Sequence, residues 1–193
     1  MSSVSNDSGA AHDDRPWVIV ALGANLGNAV ETLGAAAEAL ASQADGPVLR
    51  SPLYRTTPVD CPPGSPPFLN AVVAFRPRPG LTPEGLLEFT QRLEREAGRR
   101  PKQVLNEARP LDVDLIDWTG ETRGSERLVL PHPRAASRRF VLGPLADVFP
   151  RRRLQGMTQS VAELLRQLPA DPLFERLAAG QSPEKPWLVD LPQ

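Results

Sequence analysis

Apolar and polar positions along this chain fall into blocks short enough to be read as single elements. Trp17 to Leu22 is an apolar run ending at Gly23, the pattern of a buried strand entering a loop. Asn28 then reads as a helix N-cap with Glu31 three residues on, and Val30, Leu33, Ala37, Leu40 and Ala41 follow at helical spacing. Gly46-Pro47 is expected to end that helix, and Val48 to Tyr54 to form a second strand. Phe68 to Phe75 is a third. Thr82 caps a second helix with Pro83 at its first position; Leu86, Phe89, Leu93 and Ala97 form its apolar stripe, and Gly98 closes it. Leu111 to Trp118 shows strict alternation, and Leu128 to Leu130 begins a short strand. Ser137 to Phe149 reads as helical, with Gly143-Pro144 expected to interrupt or start it, and Ser160 to Leu168 as a last amphipathic helix. The order β-α-β-β-α-β belongs to the α+β class: a ferredoxin-like sandwich with a mostly antiparallel sheet and helices on its faces.

Between these blocks lie two long loops. Pro58 to Pro67 holds too many prolines for a helix or a central strand. Residues 99–110 mix Arg, Lys, Gln and Asn with two prolines, an exposed loop. Loops of such length in a small domain are functional or disordered. Residues 1–15 are expected to be a disordered leader, 16–168 the folded domain and 169–193 a Pro-rich tail, with no internal repeat.

Composition narrows the function classes. At 193 residues the chain can bury a real core without staples, and its single cysteine, Cys61, excludes an intramolecular disulfide framework. No apolar run approaches the roughly 20 residues of a bilayer span, and no secretory signal pattern is present. A formal net charge of -1 argues against a generic nucleic-acid binder. Lys102 and Lys185 are the only lysines, so 20 of 22 basic residues are Arg, a choice that suits either a GC-rich genome or flat phosphate ligation.

The charge is unevenly placed. Asp112 and Asp114, at i and i+2 of a strand, project to one face with Cα atoms about 6.5 to 7 Å apart. Paired carboxylates repel unless a cation lies between them, and hard oxygen ligands suit Mg²⁺ in a two-metal clamp for phosphoryl or pyrophosphoryl transfer. The plainer alternative is the solvated face of a half-exposed strand. Against it, residues 92–109 carry six basic and three acidic groups, and residues 134–153 six Arg and one Asp. Such blocks flanking a carboxylate strand suit a polyphosphate-magnesium ligand. Gly23-Ala24-Asn25-Leu26-Gly27 lacks both nucleotide-loop fingerprints and reads as a strand-to-helix turn or a close approach to a ligand. His132, among basic residues, is expected to be a neutral imidazole.

Together these stretches resemble the 6-hydroxymethyl-7,8-dihydropterin pyrophosphokinase family. The resemblance spans about residues 17 to 150: Ala21-Leu22-Gly23-Ala24-Asn25-Leu26-Gly27, Ser51-Pro52-Leu53-Tyr54-Arg55-Thr56, Phe68-Leu69-Asn70, Gln91-Arg92-Leu93-Glu94 with Gly98-Arg99, Arg109-Pro110-Leu111-Asp112-Val113-Asp114, Leu130-Pro131-His132-Pro133 and Arg138-Arg139-Phe140. It implies a ferredoxin-like fold and pyrophosphoryl transfer from ATP to the pterin hydroxymethyl group, releasing AMP. By motif position, Asp112 and Asp114 would bind two Mg²⁺ ions, with Arg99 and Arg109 also catalytic. Gln91, Glu94, Arg99, Lys102, Arg127, His132 and Arg138 would contact ATP. Gly23, Thr56, Thr57, Pro58, Val59, Phe68, Asn70 and Phe140 would hold the pterin, the two rings by stacking and Asn70 by reading the aminopyrimidinone edge. A cytoplasmic monomer acting on these two small molecules, with no nucleic-acid or membrane partner, is the resulting expectation.

The chain departs from the family pattern in its closing loop. Leu105 and Asn106 stand where Arg and Trp are usual, Pro101 stands where another Arg is found, flanked by Arg100 and Lys102, Val129 replaces a common Thr and Pro133 an aromatic. Two other readings stay open on the sequence: a degenerate paralogue that binds pterin or nucleotide with little turnover, and a ferredoxin-like nucleic-acid or protein-binding module.

Overall fold

The computed structural model describes residues 15–99 and 107–177. In chain order the elements are β1 (Val18–Ala24), α1 (Ala29–Ala41), β2 (Ala44–Arg50), β3 (Tyr54–Thr56), β4 (Phe68–Pro77), α2 (Pro83–Glu96), β5 (Asp112–Trp118), β6 (Arg123–Gly124), β7 (Val129–Leu130), α3 (Arg139–Val148), α4 (Val161–Gln167) and β8 (Glu175–Arg176), with a 3₁₀ turn at Ala135–Ser137. The main sheet runs β5-β1-β4-β3-β8, with every pairing antiparallel, and β2 extends the β3 position along the same edge of β4. That order is the ferredoxin-like sandwich expected from the element sequence.

Both faces of the sheet are covered. Val18, Val20 and Leu22 pack with Leu33 and Leu40 of α1 and Leu86 of α2, whereas Ile19, Val72 and Ala74 pack with Val141, Leu142 and Leu145 of α3 and Val161 of α4. Strands buried on two faces need apolar residues at nearly every position, so β1 and the 71–75 stretch of β4 appear in the sequence as unbroken runs. The Thr82 cap forms as expected, its hydroxyl oxygen accepting the Gly85 N–H at 3.1 Å. At α4 a reciprocal capping box joins Ser160 and Glu163.

Several expectations change. α1 stops at Ala41, and β2 begins at Ala44, ahead of Gly46-Pro47. Those two residues lie in a register shift between Ala44 and Val48, with Gly46 at φ 101°. A left-handed glycine and a proline that donates no ladder bond are tolerated on an edge strand. The strand then breaks at Ser51-Pro52-Leu53. There the Ser51 hydroxyl oxygen accepts the Val72 N–H at 2.9 Å, while the Ser51 N–H donates to the Val72 carbonyl at 2.9 Å.

Gly143-Pro144 neither starts nor interrupts α3, which runs through both from Arg139 to Val148. Pro144 removes the N–H that would bond the Phe140 carbonyl. Burial of Val141, Leu142 and Leu145 outweighs that loss. In β5 the alternation is not strict. The register shifts opposite Ile19 and Val20, so Leu115 and Trp118 both face the α1/α2 layer while Ile116 faces α3. A bulge re-aims the strand's last residues in this way. No helix among the described residues is long and apolar enough to cross a membrane.

Residues 169–177, assigned on composition to the tail, pack against the domain. β8 pairs with β3, and Leu177 donates its N–H to the Leu53 carbonyl at 2.9 Å.

Candidate active site

The cleft follows from strand register. Gly23 is the cross-strand partner of Asn70 on one side and of Asp112 on the other; Ala21 partners Val72 and Asp114. Ladder partners point to the same face. Asp112, Asp114 and Asn70 therefore share the face that carries α3. Small residues at Ala21 and Gly23 keep the floor between them low. A Cβ added at Gly23 would lie 3.0 Å from Asn70 Oδ1 and 3.7 Å from a Phe68 ring carbon. Thr56 and Phe68, partners one pleat further on, continue the floor, and Arg138 and Phe140 reach it from the start of α3.

Hydrogen bonds set the polar groups. Asn70 Nδ2 donates to Thr56 Oγ1 at 2.8 Å, both residues buried, which leaves the Asn70 oxygen directed at the Gly23 side. Arg99 donates to Asp112 Oδ1 at 2.8 Å and also to Glu94, whose Oε1 accepts the Val113 N–H at 2.9 Å. Arg138 donates to Asp114 Oδ2 at 3.3 Å. Arg109 Nε stands 3.5 Å from Asp112 Oδ2 without hydrogen-bond geometry and has no other partner among the described residues. Arginines also face both aromatic walls, Arg109 at 5.5 Å from the Phe68 ring and Arg138 at 5.3 Å from the Phe140 ring. Such contacts suit guanidinium groups held over aromatic faces.

Burial and the neighbouring Asp112 carboxylate push Asp114 above the usual carboxylate range, against the pull of Arg138 and Arg109. Burial also raises Glu94, opposed by the Val113 N–H and Arg99. Burial lowers both Arg138 and His132, so the imidazole is neutral at pH 7 as expected. His132 is fixed by its N–H to the Ile116 carbonyl (2.8 Å), and its Nδ1 accepts the Arg134 N–H at 3.1 Å, so the ring proton lies on Nε2. The Leu130-Pro131 peptide before it is cis.

A carboxylate raised by a like-charged neighbour is one that a divalent cation would return to its ionised form. The donor set fits magnesium: two carboxylates on one face, with hard oxygens only. No cluster of three or more His, Cys, Asp or Glu with metal-ligand geometry exists among the described residues, so the remaining ligands would be water and phosphate oxygens, as magnesium prefers.

Most residues expected at the site meet there. Gly23, Thr56, Thr57, Val59, Phe68, Asn70, Arg109, Asp112, Asp114, Arg138 and Phe140 all line the cleft. Pro58 does not line it. Gln91 lies exposed on α2, and Arg127 is exposed and 3.5 Å from Glu88, one turn before Gln91. Lys102, Leu105 and Asn106 lie outside the described residues. Arg134, one of the basic residues flanking the carboxylate strand, also lines the cleft, as do Asp60 and Cys61, which no sequence motif marks as site residues. Asn25 went unassigned too, although it sits in the Gly23 motif. Its Oδ1 accepts the Arg109 N–H at 2.8 Å and its Nδ2 donates to the Pro66 carbonyl at 3.1 Å, so one buried amide ties both loops to the end of β1.

Comparisons with known proteins identify the family. The sequence model of 7,8-dihydro-6-hydroxymethylpterin-pyrophosphokinase matches residues 19–150. The chain is 40% identical over 137 residues to the 2-amino-4-hydroxy-6-hydroxymethyldihydropteridine pyrophosphokinase of Porphyromonas gingivalis, covering 69% of this chain and 90% of that protein. With its Bacillus subtilis counterpart it shares 37% identity over 130 residues, 67% of this chain and 75% of that one. Among solved structures, a Plasmodium falciparum HPPK-DHPS crystal structure superposes with a TM-score of 0.60 at 13% identity, covering 82% of this chain and 44% of that chain. The chain thus spans less than half of that solved chain, and the likeness there is one of fold. Because the matched stretch runs from β1 past α3 and carries both carboxylates, Asn70 and the two cleft phenylalanines, the chain belongs to the 7,8-dihydro-6-hydroxymethylpterin-pyrophosphokinase family.

Proposed function

We propose that this cleft transfers a pyrophosphoryl group from ATP to the hydroxymethyl oxygen of 6-hydroxymethyl-7,8-dihydropterin, releasing AMP, as a step in tetrahydrofolate biosynthesis. The observation that carries the reading is the single row Asp112–Gly23–Asn70 across three strands, which sets a paired-carboxylate site beside a flat, aromatic-walled slot.

In this reading Asn70 Oδ1 accepts from the aminopyrimidinone edge while Thr56 holds the amide in place. Phe68 and Phe140 stack on the bicycle, displacing the arginines that now face them. The substrate hydroxyl oxygen attacks the β-phosphorus and releases its proton to solvent, the bond from that phosphorus to the α,β-bridging oxygen breaks, and AMP departs. Arg109, with its unpartnered Nε, and Arg138 hold phosphate oxygens through the transfer. Arg99 keeps Asp112 oriented from behind. Asp112 and Asp114 would hold two magnesium ions, which when bound would neutralise charge on the attacked and leaving groups. Neutral His132 donates its Nε2–H toward the phosphates. The enzyme acts as a monomer in the cytoplasm, where a reducing environment suits its one free cysteine, Cys61.

Purified protein supplied with MgATP and the hydroxymethyl dihydropterin tests this, with nucleotides resolved by chromatography. AMP formed only in the presence of pterin is expected. ADP formation, or no turnover with measurable pterin binding, would count against it.

A further inference from the structure

The cleft-lining loop that follows β3 is held from outside the family-matched stretch. Thr57 is its first residue, and Thr57, Val59, Asp60 and Cys61 line the cleft. Between Thr57 and Pro67 the chain forms no regular structure, so its position depends on anchors. The far end is fixed by Asn25, through the Pro66 carbonyl. The near end is fixed by Asp171: Oδ2 accepts the Thr57 N–H at 3.1 Å, and Oδ1 accepts the Thr57 hydroxyl. Asp171 lies beyond the matched residues 19–150.

Asp171 is in turn held by a fastened strap. Its Oδ1 takes the Leu173 N–H at 3.0 Å, which turns the chain. Arg139 of α3 donates to the carbonyls of Leu168 (2.6 Å) and Pro169 (2.7 Å) just before it. After it, the Phe174 ring packs on Tyr54 with centroids 4.9 Å apart and fills the notch over Gly143. Arg176 donates to Asp147 Oδ2 at 3.0 Å, the oxygen that also accepts the Tyr54 hydroxyl at 2.7 Å. With β8 paired to β3, the strap is joined to the same strand whose end it restrains.

We infer that Asp171 is a positioning residue for the pterin substrate: by holding both polar groups of Thr57 it fixes the loop 57–61 in the conformation that lines the cleft. The inference rests on the pterin reading of this cleft. A loop released from its anchor spends less time in the competent conformation, and apparent affinity falls by that fraction. In the same reading ATP is held by Arg109 and Arg138 rather than by the loop 57–61, and neither arginine is bonded to Asp171, so ATP gains nothing from this anchor.

The test compares Asp171→Ala and Asp171→Asn with the unaltered chain. Asp171→Ala should raise the pterin KM about tenfold, with the ATP KM and kcat within about twofold. Asp171→Asn keeps an oxygen for the Thr57 N–H and an amide that can donate to the hydroxyl oxygen, but sets that amide against the Leu173 N–H, so it should recover only part of the loss. Amide hydrogen exchange at residues 57–61 should quicken in Asp171→Ala while β4 stays protected. An unchanged pterin KM, an equal rise for both substrates, or unaltered exchange at 57–61 would overturn the inference. If the unaltered chain makes no pterin-dependent AMP, the pterin reading fails on its own, and the exchange comparison still decides whether Asp171 holds the loop.

Discussion

Gly23 and Asn70 are ladder partners on β1 and β4, and the Asn70 Oδ1 stands where a side chain at Gly23 would have to go. An added Cβ would lie only 3.0 Å from it. Asn70 cannot easily yield, because its Nδ2 is bound to the buried Thr56 hydroxyl. Gly23→Ala should therefore turn or push the amide and spoil the edge that reads the pterin. Losing one such hydrogen bond costs about 1–3 kcal/mol, or roughly five- to 150-fold in pterin affinity. Pterin titration at constant MgATP measures it. A variant that binds pterin normally would show that Asn70 does not read the ring.

The paired carboxylates carry a different signature. Asp112 is bonded by Arg99 and approached by Arg109, and none of the three is part of the apolar core. Asp112→Ala should thus leave the far-ultraviolet circular dichroism unchanged while turnover drops by about 10²-fold or more. Chelation of magnesium should abolish AMP release in the unaltered chain, and added Mg²⁺ should restore it. Near-normal activity in Asp112→Ala, or turnover that survives chelation, would remove the proposed metal role.

Asn25 separates the two loops that meet at the end of β1. Asn25→Ala loses both side-chain bonds, to the Arg109 N–H and to the Pro66 carbonyl, and should cost about 1–3 kcal/mol in urea denaturation. It should also raise the pterin KM and lower kcat, because one bond holds the pterin loop and the other the backbone of Arg109. Asn25→Asp keeps the acceptor for Arg109 but turns an oxygen toward the Pro66 carbonyl. Its effect should fall on pterin KM alone; a matching fall in kcat would mean that the two loops are not held separately.

How far these features are legible in the sequence depends on the distance over which each is determined. The Thr82-Pro83 helix start, the burial of β1 and β4 and the shared face of Asp112 and Asp114 are set within a few residues, and each appears as read. Gly46-Pro47 and Gly143-Pro144 mislead because their local cost is outweighed from afar, by edge position in one case and by packing under β4 in the other. The β5 bulge leaves no local mark, since it is defined by a register with β1. Asn25 carries a signal in its motif that only the Arg109 and Pro66 loops explain. Asp171 gives none: its partner is 114 residues away in sequence, and its surroundings read as a proline-rich tail.

Gly143 offers a way to probe the strap without touching either substrate. It lies inside α3, where Ala is favoured over Gly by about 1 kcal/mol. Yet a Cβ there would come within 2.2 Å of the Phe174 ring tip, which is impossible without displacement. The ring belongs to the strap after α4, packed on Tyr54 with Arg139 against it, and β8 is only two residues long, so the strap can lift while the core stays intact. In Gly143→Ala the helix gain and the lost Phe174 contacts should nearly cancel, shifting the melting temperature by only a few degrees. Exchange at residues 169–177 should quicken, and the pterin KM should rise in the same direction as in Asp171→Ala with the ATP KM unmoved. Quickened exchange with an unaltered pterin KM would mean that Phe174 secures the strap but the strap does not set the loop. An unaltered exchange pattern would mean that the ring reseats beside the new methyl group.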